Sequence, residues 1–177
     1  MNYIKISKCD IANGTGIRVV LWVSGCSLHC KGCHNPDTWD FSAGKQFDDN
    51  AKQELFNALN KPWVQGITLS GGHPLEYKNL PDVYDIIKEI KTKFPNKDIW
   101  LYTGYTLKIN DFDTSADICW DNGLLMNYIL SMCDIVVDGP YIEEQRDVSL
   151  SFRGSSNQRI ICVPKTLQQN KIVTIEE

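Results

Sequence analysis

Three cysteines, Cys26, Cys30 and Cys33, fall within eight residues of a 177-residue chain, in the run Gly25-Cys26-Ser27-Leu28-His29-Cys30-Lys31-Gly32-Cys33-His34-Asn35-Pro36-Asp37-Thr38-Trp39-Asp40. Thiolates are the soft ligands of zinc and of iron–sulfur clusters. Three of them on so short a loop can converge on one side of a cuboidal cluster. A 4Fe–4S cube normally takes four cysteines, so three local ligands leave one iron free to bind a substrate. A structural zinc site needs four ligands in a tetrahedron, usually as two separated pairs, and no second pair follows here. His29 and His34 lie in the same tight loop, where tetrahedral closure is hard. An iron–sulfur centre is the leading reading, with a zinc-binding interaction module as the alternative.

Four further cysteines, Cys9, Cys119, Cys133 and Cys162, are scattered and read as ordinary buried thiols. In a cytosolic setting, clustered cysteines favour metal or redox chemistry over a disulfide framework. Gly71-Gly72 has a separate use: without Cβ atoms, a backbone can approach a ligand closely. His73 follows directly, divided between a ligand contact and a loop position. The acidic stretch 111–121 lacks the glycine and terminal glutamate of a calcium loop and reads as solvated.

The elements that must position these residues alternate. Residues 17–24 form a β-branched and aromatic run ending at Gly25, and 66–70 a short strand stopping at Gly71. Residues 98–103 and 134–138 are further strands, ending at Thr103 before Gly104 and at Asp138 before Gly139-Pro140. Helical spacing covers 48–60, 80–94 and about 122–132, while RIICV and KIVTI in the tail look strand-like. This order predicts an α/β protein with a mostly parallel sheet and its ligands at the carboxyl ends of the strands. A full eightfold barrel needs about 250 residues, so the expectation is a partial, open β/α barrel in a single domain over residues 1–177.

Composition agrees with one globular unit: 42% hydrophobic, 23% charged, net charge −4. The charge argues against nucleic acid as a partner. No apolar run has membrane-spanning length, and the N-terminus lacks a secretory pattern, so a cytoplasmic location is expected. The Asn13-Gly14-Thr15 sequon carries no meaning in that setting.

The C-x3-C-x2-C spacing after a hydrophobic strand resembles the radical S-adenosylmethionine enzymes. Cys33-His34-Asn35 with Asp37-Thr38-Trp39 is similar to the activating enzymes of glycyl-radical proteins. Asn13-Gly14-Thr15-Gly16-Ile17-Arg18, Asp98-Ile99-Trp100 with Thr103-Gly104-Tyr105, and Arg153-Gly154-Ser155-Ser156-Asn157-Gln158 resemble the branch that activates the anaerobic (class III) ribonucleoside-triphosphate reductase. The resemblance implies that Cys26, Cys30 and Cys33 hold a 4Fe–4S cluster. S-adenosylmethionine would chelate the open iron and be cleaved reductively, and a glycine of the reductase would become a radical. It further implies that Gly32, Cys33 and His34 offer backbone groups to adenine, and that Gly71 and Gly72 flank the methionine moiety. Thr103 and Asp138 would lie toward the ribose or amino group. A flavodoxin-like protein is the implied electron donor. His73 stands where this family usually has Asp or Glu. Other functions stay open at this point: an activase for a different glycyl-radical enzyme of the pyruvate formate-lyase type, or a non-catalytic iron–sulfur electron carrier.

Overall fold

A computed structural model describes residues 1–115 and 122–175. The elements run β1 (Asn2–Asp10), β2 (Arg18–Val23), β3 (Lys45–Gln46), α1 (Asp49–Leu59), β4 (Gly66–Gly71), α2 (Leu80–Lys93), β5 (Asp98–Tyr102), α3 (Asn122–Met132), β6 (Ile135–Asp138), β7 (Arg159–Cys162) and α4 (Val163–Gln169). Among the described residues, these strands form one open sheet in the order β3-β1-β2-β4-β5-β6-β7.

The sheet is parallel only at its centre. β2, β4, β5 and β6 pair in parallel. β1 runs antiparallel to both β2 and β3, and β7 antiparallel to β6. The expectation of a mostly parallel sheet is corrected at both edges. The loop 11–17 between β1 and β2 is too short for a helical crossover, and the longer segment 139–158 between β6 and β7 carries no α-helix to make one. The sheet does not close on itself.

Alternation along the central strands divides the two faces. Val19, Leu21, Val23, Ile67, Leu69, Ile99, Leu101 and Val136 belong to the main core with residues of all four helices. Each such side chain, fully buried, contributes about 1.5–3 kcal/mol. Asp48 caps α1 by accepting the Ala51 amide at 2.8 Å, and Pro81 starts α2. The other face carries a smaller cluster of Trp100, Val137 and Ile160, packed by Tyr102, Ile135 and Phe152.

The tail differs from expectation. RIIC is β7, but Val163 and Pro164 open α4 immediately after it. Residues 171–175 add a lone bridge, Ile161 to Thr174. Of the cysteines read as buried thiols, Cys133 is buried and Cys162 half-buried, whereas Cys9 is exposed. It lies near the end of β1, beyond the short stretch covered by β3. Cys119, Asp117 and Asp121 lie outside the described residues. Within them, no helix is long and apolar enough to cross a membrane.

Candidate functional site

β2, β4, β5 and β6 all end at the same edge, and each is followed by a segment singled out in the sequence. The cysteine loop leaves β2 under backbone restraint. The amides of Gly25 and Cys26 donate to the carbonyls of Thr38 and Trp39 at 2.8 and 3.0 Å. Gly72 donates to Val23, and His73 to Gly25, both at 2.8 Å. Segment 38–39, the exit of β2 and the exit of β4 therefore meet in one backbone crossing. Cys33 closes a turn on Cys30 at 3.1 Å, and its sulfur accepts the Asn35 amide at 3.4 Å.

Cys26, Cys30 and Cys33 line one cavity together with Gly71, Gly72 and Thr103. A neighbouring cavity shares Cys33, Asn35, Ser70, Tyr102, Tyr141 and Gln158 with it and adds His34 and Arg153. The sites named from sequence are thus largely brought together, with two set apart. Gly32 is exposed and turns at φ +73°, with the Glu143 carboxylate over its Cα. Asp138 is fully buried, ion-paired with Arg159 and accepting the Leu107 amide at 2.8 Å. Its carboxylate braces the loop after β5, while its neighbour Gly139 lines the cavity. The His34 ring rests against Tyr141 at 5.1 Å between centroids.

Among the described residues, no group of three or more His, Cys, Asp or Glu side chains is already gathered as a metal site. The three thiols share a cavity without being drawn onto one point. Their chemistry suits a centre larger than a single ion, because thiolates holding a cluster bind separate irons. Burial pushes the Cys26 thiol up; backbone amides at Leu28 and His29 work against this, and the Glu76 charge works with it.

His73 is buried, and both its ring nitrogens are engaged. Nε2 stands 2.7 Å from Thr103 Oγ1, and Nδ1 3.4 Å from Glu76 Oε1. The 73–76 turn, closed by the Glu76 amide on the His73 carbonyl at 3.1 Å, folds Glu76 back onto the ring. The same Glu76 oxygen accepts the Ser27 amide at 2.8 Å and the Ser27 hydroxyl at 2.6 Å, directly beside Cys26. Asn79 completes the brace by donating to the carbonyls of Ser24 and His73 at 2.9 and 3.1 Å.

Burial lowers the His73 pKa below 6.5, against the pull of Glu76. For Glu76, burial raises the carboxyl, but the Ser27 bonds and His73 more than reverse this, leaving it below 4.5. In both cases the unfolded chain takes up the proton first, so stability falls as the pH drops. Denaturant midpoints should decline from pH 6.5 downward through His73, and again below 4.5 through Glu76. His73→Gln should flatten the upper part of that decline; an unchanged profile would show that the ring does not titrate differently on folding.

Glu76 and Trp39 escaped the sequence reading as site residues. A glutamate three positions after Gly-Gly-His signals nothing until the turn is seen. The Arg153–Gln158 segment also proves to be largely internal bracing. Gln158 Oε1 accepts the Gly154 and Ser155 amides at 2.8 and 3.2 Å, and its Nε2 donates to Gly139 at 3.1 Å. Asn157 donates to the Pro140 carbonyl at 2.8 Å. This ties the segment to the turn after β6.

An open α/β sheet with a three-thiol loop at its carboxyl edge defines a class of iron–sulfur proteins, and residues 12–161 match the family model described as a 4Fe-4S single cluster domain. The chain is 42% identical over 162 residues to the anaerobic ribonucleoside-triphosphate reductase-activating protein of Haemophilus influenzae, covering 90% of this chain and 97% of that one. Proteins of the same name from Enterobacteria phage T4 and Escherichia coli K12 are 39% and 37% identical over 160 residues each, covering 90% and 89% of this chain and 93% and 96% of theirs. The chain belongs to the family of anaerobic ribonucleoside-triphosphate reductase-activating proteins.

Proposed function

We propose that this chain is a radical S-adenosylmethionine activase that installs a glycyl radical on an anaerobic ribonucleoside-triphosphate reductase. The observation that carries the reading is the shared cavity of Cys26, Cys30 and Cys33 at the strand ends, walled by Gly71 and Gly72. Cys26, Cys30 and Cys33 would hold a 4Fe–4S cluster through three thiolates, leaving one iron for S-adenosylmethionine. When bound, that pair supplies reductive cleavage of the sulfonium and removal of a hydrogen atom from a backbone glycine of the reductase.

The chain's own part is to bind, orient and exclude. Gly71 and Gly72 let the β4 exit pack against the backbone of Val23 and Gly25, where a Cβ would clash, and so set the wall that would face the methionine moiety. Cys33 and His34 offer backbone groups toward adenine, and Gly32 lets the loop turn beside them. His73 has no free ring nitrogen for an ammonium, because Thr103 and Glu76 take both. Thr103 contributes chiefly by holding His73, and Asp138 by fixing the turn that carries Gly139. Tyr102, Tyr141, Leu28 and Trp39 supply apolar wall, which keeps water and stray hydrogen donors from a reactive carbon centre. In this reading the open sheet is the partial barrel of the superfamily, the whole chain is one domain, and a flavodoxin-like protein in the cytoplasm delivers the electron.

The test is anaerobic reconstitution with iron and sulfide, reduction, addition of S-adenosylmethionine, and quantification of 5′-deoxyadenosine with and without the reductase. The expected result is product from the unmodified protein and only background from Cys30→Ala. An intact, reducible cluster that yields none, even with the reductase present, overturns the proposal.

A further inference from the structure

Of the side-chain nitrogens and oxygens buried without a hydrogen-bond partner among the described residues, Trp39 Nε1 alone belongs to a residue lining the cavity of the three thiols. An indole N–H is a donor only, and a buried one normally finds an acceptor. The residue is fastened to the cysteine loop twice. Its carbonyl accepts the Cys26 amide at 3.0 Å, and its ring stacks on His29, between Cys26 and Cys30, at 4.6 Å and 27°. The unmet donor is therefore fastened to the stretch of backbone that presents two of the three thiols.

We infer that the Trp39 indole N–H donates a hydrogen bond to a sulfur of the thiolate-held cluster, either the Cys26 thiolate or a bridging sulfide. The inference rests on the cluster reading above. Its chemistry follows from charge: reduction adds an electron to the cluster, sulfur carries much of the added density, and a donor aimed at sulfur stabilises that state. Hydrogen bonds to the sulfurs are among the factors that set the potential of such centres. Trp39 thus acts as a positioning and tuning residue, making the cluster easier to reduce. The stacking on His29 holds the ring in place, so that the donor is present before the metal arrives.

The experiment uses the full chain reconstituted without oxygen, in two forms. The first carries tryptophan labelled with 15N at the indole nitrogen, and pulsed electron paramagnetic resonance is recorded on the reduced cluster before S-adenosylmethionine is added. A weak 15N hyperfine coupling is expected. The second is Trp39→Phe, which keeps an aromatic ring against His29 while removing the donor and part of the indole's volume. It should load the same iron and sulfide per chain, lack the coupling, and have a lower midpoint potential. The reduction equilibrium should move by roughly tenfold, which is about 59 mV for one electron.

A loaded cluster with no coupling, or an unchanged potential in Trp39→Phe, overturns the inference. So does a coupling that appears only after S-adenosylmethionine is added, which would assign the donor to the substrate. Should Trp39→Phe not load, the labelled unmodified protein still decides. If the unmodified protein itself assembles no cluster, the cluster reading fails, and this inference with it.

Discussion

Arg18→Met should destabilise the protein by about 3–5 kcal/mol, the range for breaking a buried ion pair on one side. For a chain of this length that loss lowers Tm by roughly 10 °C. Arg18 has no exposed surface at all, and every part of its guanidinium is occupied. Nε donates to Thr68 Oγ1 at 2.8 Å, one terminal nitrogen to the Thr15 carbonyl at 3.0 Å, and the other to the Ile67 carbonyl at 2.7 Å. That last nitrogen is also 2.5 Å from Asp98 Oδ1, and the guanidinium lies over the Trp100 ring at 5.2 Å. Methionine fills much of the volume but satisfies none of these acceptors. Thermal unfolding followed by circular dichroism gives the loss directly. Adding Asp98→Asn to Arg18→Met should recover part of it, since the stranded carboxylate is then neutral. Equal stability of the single variant and the unmodified protein would mean that the pair contributes nothing net.

Gly72→Ala should act on the site more than on the fold. A Cβ at residue 72 would come within 2.6 Å of the Gly25 carbonyl oxygen and 3.0 Å of both the Gly25 nitrogen and the Thr38 oxygen. All three are backbone atoms, so no side chain can swing aside. The methyl must push the cysteine loop away from β4, lengthening the His73–Gly25 bond that joins them. Overpacking of this kind costs about 1–3 kcal/mol. The larger consequence is for the thiols, because Gly25 immediately precedes Cys26. Iron and sulfide retained per chain after reconstitution and gel filtration should fall severalfold, while the far-ultraviolet circular dichroism stays close to that of the unmodified protein. Full retention would show that the loop tolerates displacement at its root.

The two sites also explain what was legible in the sequence. The central strands announced themselves because Val19–Leu21, Ile67–Leu69 and Ile99–Leu101 are buried on both faces and carry few polar interruptions. Their ends were equally plain, each stopping at glycine or before it. β1 was not among the elements read from the sequence. Lys5, Lys8 and Asp10 break its pattern, and it exists through pairing with β2 rather than through its own apolar content. The tail misled in the opposite sense. RIICV followed by KIVTI suggests two strands, yet Pro164 at the first turn of α4 was the helix-start signal that the apolar run concealed.

Within the site, residue types that are unusual in themselves could be picked out: clustered thiols, paired glycines, a histidine after them. What could not be read is whatever depends on two loops meeting. Asn13 to Arg18 and Asp98 to Trp100 are separate motifs in the sequence. In the fold they are one unit at the amino ends of β2 and β5, joined by Arg18, Thr68 and the Asn13 carbonyl. Arg18 and Asp98 stand at the opposite end of the sheet from the thiols and serve as framework, whereas Asn13 reaches over to line the cavity that also holds Cys33 and His34. Asp138 likewise lies at the expected strand end, but Arg159 claims its carboxylate before any ligand can.

The crossing at Gly25, Thr38 and Gly72 bears on how such a protein survives between anaerobic episodes. Zinc fingers fold only when their metal arrives, so removal of the metal dissolves the site. Here the cysteine loop is fixed at its root by main-chain bonds to two other segments and by the Glu76 carboxylate at Ser27. None of those restraints uses a thiol. Air that destroyed a cluster would leave the root of the loop anchored, and repair would require new iron and sulfide without refolding of the sheet that carries it.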